Sequence, residues 1–239
     1  MTIEHMDDVI SSQVARQVLD YWFSEYAAGD LAAKQDKRWF MGGELVDQEI
    51  GQRFGHRVEL ALAGGFKDWE SEPESRLALI ILLDQFTRNI FRGTTRAFSG
   101  DSRAVKLARR GQAMGIFEEL PLIQQVFALM PLEHSELLSD QALCVQGMTR
   151  LCELAPDADK PRFQSFVDHA LEHKAIIERF GRFPHRNAVL SRVSTENERR
   201  FLAGAKLTDR VKPHCENLFT TAGGANHLGW VCGLPPSVY

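Results

Sequence analysis

Leu77-Ala78-Leu79-Ile80-Ile81-Leu82-Leu83-Asp84-Gln85-Phe86-Thr87-Arg88-Asn89 decides how this chain is read. Its first seven residues are apolar without interruption, and Pro73 stands just upstream, where a helix tolerates a missing N–H. A helix that is apolar on every side belongs in the middle of a domain. From Asp84 onward the character changes within one turn. Leu79, Leu82, Leu83, Phe86 and Ile90 continue a core stripe, whereas Gln85, Asn89 and Arg92 recur at i, i+4 and i+7 and share a polar face. Asp84 and Arg88, four apart, are placed to pair. A stem this apolar running into an arc this polar predicts that the arc faces a cavity or another helix.

Helical periodicity extends outward in both directions, and alternating strand patterns are nearly absent. Val14, Val18, Leu19, Trp22 and Phe23 form the stripe of a first helix. A second runs from about Glu44 to Ala63, with Leu45, Ile50, Phe54 and Val58 as core positions and Gly64-Gly65 as its stop. Past the central helix, Asp101 is read as the N-cap of a helix through about Met114. Further helices are expected at about Leu122 to Met130, ending at Pro131, at about Glu136 to Leu154, and from Pro161 to Phe180. Thr195 and Glu198 have the spacing of a capping box for a last short helix through Leu202. The expectation is all-α: a single domain of about eight antiparallel helices over 12–205, followed by an irregular extension over 206–239 that packs through Phe219 and Trp230.

Composition narrows the function. The net charge of -4 gives no general reason to bind nucleic acid, and 44% hydrophobic with 25% charged residues is ordinary for a globular protein. The longest apolar run falls far short of a bilayer span, and the N-terminus lacks a signal-like apolar region. Cys144, Cys152, Cys215 and Cys232 show no metal-ribbon spacing, and Cys144 and Cys152 read as buried thiols. A cytoplasmic protein without nucleic-acid or membrane partners is expected.

Two further motifs carry chemistry. His134-Ser135-Glu136 puts a histidine beside a carboxylate, with Ser135 as a plausible N-cap. Phe180-Gly181-Arg182-Phe183-Pro184-His185-Arg186-Asn187 ends a helix at glycine and opens a loop bearing Arg182, His185, Arg186 and Asn187, with Arg192 close behind. No acid lies between Phe180 and Arg192, so these guanidiniums need anions from elsewhere: Asp84 and Glu136 internally, or a ligand. His169 and His173 have an HxxxH spacing without the glutamate of a zinc-protease motif, and no metal is assigned.

The three motifs in this order resemble the bacterial family catalogued as domain of unknown function 924, whose pattern Leu82 to Asn89, Pro131 to Glu136, Ile177 to Asn187, Leu190 to Arg192 and Ser194 to Glu196 follow. Trp22-Phe23 and Trp39-Phe40 match its N-terminal aromatics. Thr87 stands where the family has proline, and Ser191 where it has glycine before Arg192. The resemblance implies a tetratricopeptide-like all-α array and brings no established activity or cofactor.

Function therefore rests on the residues. The expected site binds a small anionic molecule, carboxylate or phosphate, through Asp84, Gln85, Arg88, Asn89, Arg92, Arg182, Arg186, Asn187 and Arg192. His134, Glu136, His173 and His185 are the candidates for acid–base work in a hydrolase or lyase, with Asp84 and Glu136 orienting the histidines. The alternative is a scaffold whose groove takes a peptide carboxylate, with the polar network structural.

Overall fold

A computed structural model of the protein describes residues 3–23, 39 and 43–204, with side chains from residue 12 onward. Among the described residues every regular element is helical. The 206–239 extension, with Phe219, Trp230, Cys215 and Cys232, lies outside the described residues, as does Phe40. None of the described helices is long and apolar enough to cross a membrane.

The order is α1 (Ile3–Phe23), α2 (Glu44–Leu62), α3 (Pro73–Ile80), a π-helical turn (Ile81–Phe86), α4 (Thr87–Ile90), α5 (Asp101–Ala113), α6 (Leu122–Glu133), α7 (Leu138–Leu154), α8 (Lys160–Phe180) and α9 (Glu196–Leu202). Short 3-10 turns lie at Asp68–Glu70, Thr95–Phe98, Ile116–Glu119 and Pro184–Arg186. α3, the π turn and α4 form one rod over 73–90. Leu77 to Leu83 are completely buried, as an all-round apolar helix requires. α1 and α6 pack on α3, α2 covers the π turn and α4, and α7 and α8 form an extensively packed hairpin.

Aromatic side chains close the core around that rod. Trp22 meets Phe86 and Phe127 edge-on, with ring centroids 5.4 and 5.9 Å apart. Trp39 packs on Phe127 at 4.6 Å and donates its indole N–H to the Trp22 carbonyl at 2.8 Å. A buried indole needs such an acceptor, so one bond fixes both the ring and the end of α1.

Several sequence-based boundaries move for identifiable reasons. Asp101 is the first helical residue of α5, and Gly100 occupies the N-cap position. Pro131 sits inside α6, which runs on to Glu133. Ser135 is not the N-cap of α7, because that helix starts at Leu138; its hydroxyl donates to Asp140 at 2.5 Å and accepts the Leu137 N–H at 3.2 Å. Leu45 is 81% exposed, one position outside the face that buries Ile50, Phe54 and Val58. Gly181 closes α8 in the left-handed conformation, and the Thr195–Glu198 capping box is formed as expected.

Candidate functional site

The site begins at the π turn. A π-helical turn inserts a residue into the helical phase and often marks a functional position. Here Asp84 and Gln85 both lie inside the domain, and Gln85 Nε2 donates to Asp84 Oδ2 at 2.6 Å. Carbonyls of the turn collect side-chain donors: Thr87 Oγ1 bonds the Leu83 oxygen at 2.8 Å, and Arg88 Nη1 bonds the Asp84 oxygen at 2.7 Å. Thr87, standing where the resembled family has proline, thus supplies a donor at the end of the π turn.

Asp84 is fully buried and ringed by donors. His134 Nδ1 lies 2.8 Å from Oδ1 and 3.0 Å from Oδ2, and Arg88 Nη1 lies 3.0 Å from Oδ1. Burial pushes the carboxyl up, but the charges of Arg88 and His134 and the bonds from His134 and Gln85 hold it well below the usual carboxylate range. The opposite balance holds for His134, where burial outweighs the pull of Asp84 and lowers the imidazole. The pair is therefore an ionised carboxylate beside a neutral histidine. Because Nδ1 faces two carboxylate oxygens it carries the proton, and Nε2 keeps the lone pair. The His134 side chain is 11% exposed, so the pair meets the surface at its histidine end.

Arg88 also forms a two-pronged bond with Asp101, at 3.0 and 3.2 Å. Asp101 reaches it because Gly100 lets the start of α5 press onto the π turn: a Cβ there would stand 2.1 Å from the Leu83 oxygen. Arg186 donates to the His134 carbonyl at 2.9 Å, lies 3.9 Å from Asp101, and stacks over Phe98 and Phe183. Its charge and that of Arg192 bear on His185, which burial, first, and these cations push down to about 2. His173 is buried against Phe183, with Nδ1 2.9 Å from the His169 carbonyl and 3.2 Å from Glu133 Oε1. Burial, then Arg186 and His169, take it down to about 4, against the bond to the His169 carbonyl.

The structure thus brings Asp84, Gln85, Arg88, His134, His173, His185 and Arg186 together, and sets others apart. Asn89 and Arg92 bond Asp47 of α2, Arg92 through two bonds of 2.6 and 2.7 Å. Arg182 grips Glu198 with two bonds. Glu136 does not orient a histidine: it takes Arg192 with both oxygens and caps the Phe183 N–H at 2.8 Å, pinning the loop after α8 to the α6–α7 junction. Asn187 sits inside that clamp, accepting from Arg192 and donating to Ser194. Asp47, Asp101, Glu133 and Glu198 were missed as partners; only Glu133, next to His134, carried a local signal.

Among the described residues no group of three or more His, Cys, Asp or Glu side chains is arranged to hold a metal ion. His169 instead lies 3.8 Å from Glu172 on the surface of α8. Cys144 and Cys152 are free thiols. Two surface depressions between α5 and α7, lined among others by Gln112, Gly147 and Arg150, share no residue with the cluster.

The chain can be compared with known proteins on this footing. No curated protein matches it. A solved structure of a protein of unknown function from Agrobacterium tumefaciens is 33% identical, with a TM-score of 0.65, over 80% of this chain and 98% of that one. The family model described as "Bacterial protein of unknown function (DUF924)" matches residues 18–206, which span every element of the cluster. The chain belongs to the DUF924 family.

Proposed function

We propose that Asp84 and His134 form the proton-accepting centre of a small-molecule site. The observation that supports this is the contact of both oxygens of the fully buried Asp84 with Nδ1 of the partly exposed His134, at 2.8 and 3.0 Å. A carboxylate held ionised behind an imidazole fixes one tautomer and stabilises the imidazolium formed when Nε2 takes a proton. Gln85 and Arg88 fix the carboxylate in turn, so the pair is organised before any ligand arrives. A base of this kind can serve hydrolysis or elimination, the hydrolase and lyase readings of the site.

Anion binding takes second place in this proposal. Arg88, Arg92, Arg182, Arg186 and Arg192 each have a carboxylate within 3.9 Å, so a ligand carboxylate or phosphate would compete with Asp84, Asp101, Asp47, Glu198 or Glu136. Arg186, which donates to the His134 carbonyl at 2.9 Å and lies 3.9 Å from Asp101, is the arginine joined directly to the backbone of the proposed base. The chemistry of such a ligand would be a small carboxylate or phosphate ester with a proton to give.

Side-chain 15N spectra at neutral pH test the pair directly. His134 is expected as the neutral Nδ1–H tautomer, lost in Asp84→Asn. Thermal-shift and turnover screens with carboxylate and phosphate esters should then find a compound whose effect disappears in His134→Gln. A charged or Nε2–H imidazole, or no response across a broad panel, would leave the network a structural one and sink the proposal.

A further inference from the structure

The cluster around Asp84 leaves little hydrogen-bonding capacity unused, because its arginines and carboxylates hold one another. The opposite condition holds between α5 and α7. Both helices pack on α6 and leave a groove between them, with a volume of about 270 Å³. Arg109 and Gln112 of α5 stand three apart, and Gln146 and Arg150 of α7 four apart, so each helix lines the groove with one face. A smaller recess of about 60 Å³ adjoins it at Gln112, Gly147 and Arg150. Gly147 makes the floor: a Cβ there would stand 2.6 Å from Leu129 Cδ1 of α6 and 3.3 Å from Gln112 Nε2. The Gln112 amide therefore lies close over the α7 backbone.

The polar side chains of the groove have donors and acceptors to spare. Arg109 is anchored by one edge only: its Nε donates to Oδ1 of the fully buried Asp140, whose Oδ2 accepts from Ser135 at 2.5 Å. Nη1 and Nη2 of Arg109 have no hydrogen-bond partner among the described residues. A guanidinium fixed in this way presents its remaining edge as a fork for carboxylate or phosphate oxygens. Arg150 adds a second cation, tied by Nη1 to Glu118 at 3.0 Å in an exposed pair that an incoming anion displaces at little cost. Lys106, one turn before Arg109 on α5, is exposed and has no ion-pair partner among the described residues. The side chains of Gln112 and Gln146 make no hydrogen bond among the described residues, and Gln112 Oε1 is shut off from solvent as well. A buried acceptor without a donor is uncommon in a native fold. An amide turns readily about its last bond, so a donor in the groove can meet that oxygen without any helix moving.

We propose that this groove is a second binding site, for a small carboxylate or phosphate that carries a neighbouring hydroxyl or amine. The Arg109 fork takes the anion, Arg150 closes on it from α7, and Gln112 Oε1 accepts from the donor group. These three contacts set the ligand class. An anion without a donor leaves Oε1 unsatisfied, and a neutral polyol leaves the guanidinium fork empty. A volume of about 270 Å³ is at the small end for ligand sites, so the ligand is small. The groove shares no residue with the Asp84–His134 pair, and the assignment does not rest on the function proposed above.

The test titrates the full chain with glycerol 3-phosphate and with lactate, following the Arg109 Nε–H and the Gln112 and Gln146 side-chain amides by 1H–15N spectra. Methyl phosphate and propionate are the matched anions without the hydroxyl, and glycerol is the donor without the anion. At least one of the two hydroxylated anions is expected to move these resonances to saturation, about fivefold more tightly than its matched control, while glycerol leaves them still. Arg150→Ala, a change at an exposed side chain, should weaken that binding about fivefold, and His134→Gln should leave it unchanged. A response to glycerol 3-phosphate alone makes the ligand a phosphate, and a response to lactate alone makes it a carboxylate. Silence from both anions overturns the site. So does binding that is indifferent to Arg150→Ala or that disappears in His134→Gln, which would place it elsewhere on the molecule. Equal binding of each anion and its matched control overturns the role given to Gln112.

Discussion

At the residue scale, the balance at Asp84 is the most consequential in the molecule. Three side chains, Arg88, His134 and Gln85, converge on a carboxylate with no solvent. Removing one member of such a set leaves the others buried and unsatisfied. Asp84→Asn is expected to cost about 3 kcal/mol in denaturant unfolding, with Asp101 retaining part of the Arg88 charge. A cost near zero would mean that the carboxylate is not ionised in the native state. Ser191 gives the opposite sign. It adopts φ 54°, in the left-handed region, at the position where the family pattern has glycine. Left-handed backbone costs a non-glycine residue about 1–2 kcal/mol, partly offset by glycine's greater freedom when unfolded. Ser191→Gly should therefore raise the unfolding free energy by up to about 1 kcal/mol, read from the denaturant midpoint, without disturbing the clamp around Arg192.

At the element scale, the π turn and the start of α5 act together. Gly100 is required by space: a Cβ there would stand 2.1 Å from the Leu83 oxygen, a backbone atom of the π turn that cannot swing aside. Gly100→Ala is expected to destabilise by about 1–3 kcal/mol and to loosen the Arg88–Asp101 bond, because Asp101 follows directly. Unfolding curves and the arginine side-chain resonances would report both effects, and an unperturbed Arg88 would refute the coupling. This element also shows what the sequence could carry. The seven apolar residues from Leu77 announced a central helix, and the i, i+4 spacing announced the Asp84–Arg88 pair, because both are local regularities. The π turn was invisible, since one inserted residue changes the phase without changing the letters. Read as one regular helix, Gln85, Asn89 and Arg92 share a face, whereas the structure gives Gln85 to Asp84 and the other two to Asp47. The partners Asp47, Asp101 and Glu198 were hidden for a related reason: each lies in another segment, where an acid reads as a cap or a solvated face.

At the scale of the whole molecule, three uncharged histidines are enclosed by helices and a clamped loop, and that makes stability depend on pH. His134, His173 and His185 all have folded proton affinities lowered by burial, to about 4 for His173 and about 2 for His185. Once unfolded they titrate near 6.5, so below that pH the unfolded chain binds protons that the native state refuses. A group of this kind gives full stability above about pH 6.5 and loses it as the pH falls towards the folded value. Between pH 7.5 and 5 each deeply shifted histidine contributes a loss on the order of 2 kcal/mol, less for the partly exposed His185. Glu133 works the other way, because its raised affinity makes the ionised form costly and acid relieves it. Asp84, held low, loses its contribution only below the ordinary carboxylate range, outside this window. Urea unfolding at pH 7.5 and pH 5 should therefore differ by about 2–4 kcal/mol, and His173→Gln, if folded, should shrink the difference by about half. A flat profile would show that these imidazoles take up protons without resistance, which neither the buried cluster nor the base assigned to His134 can accommodate.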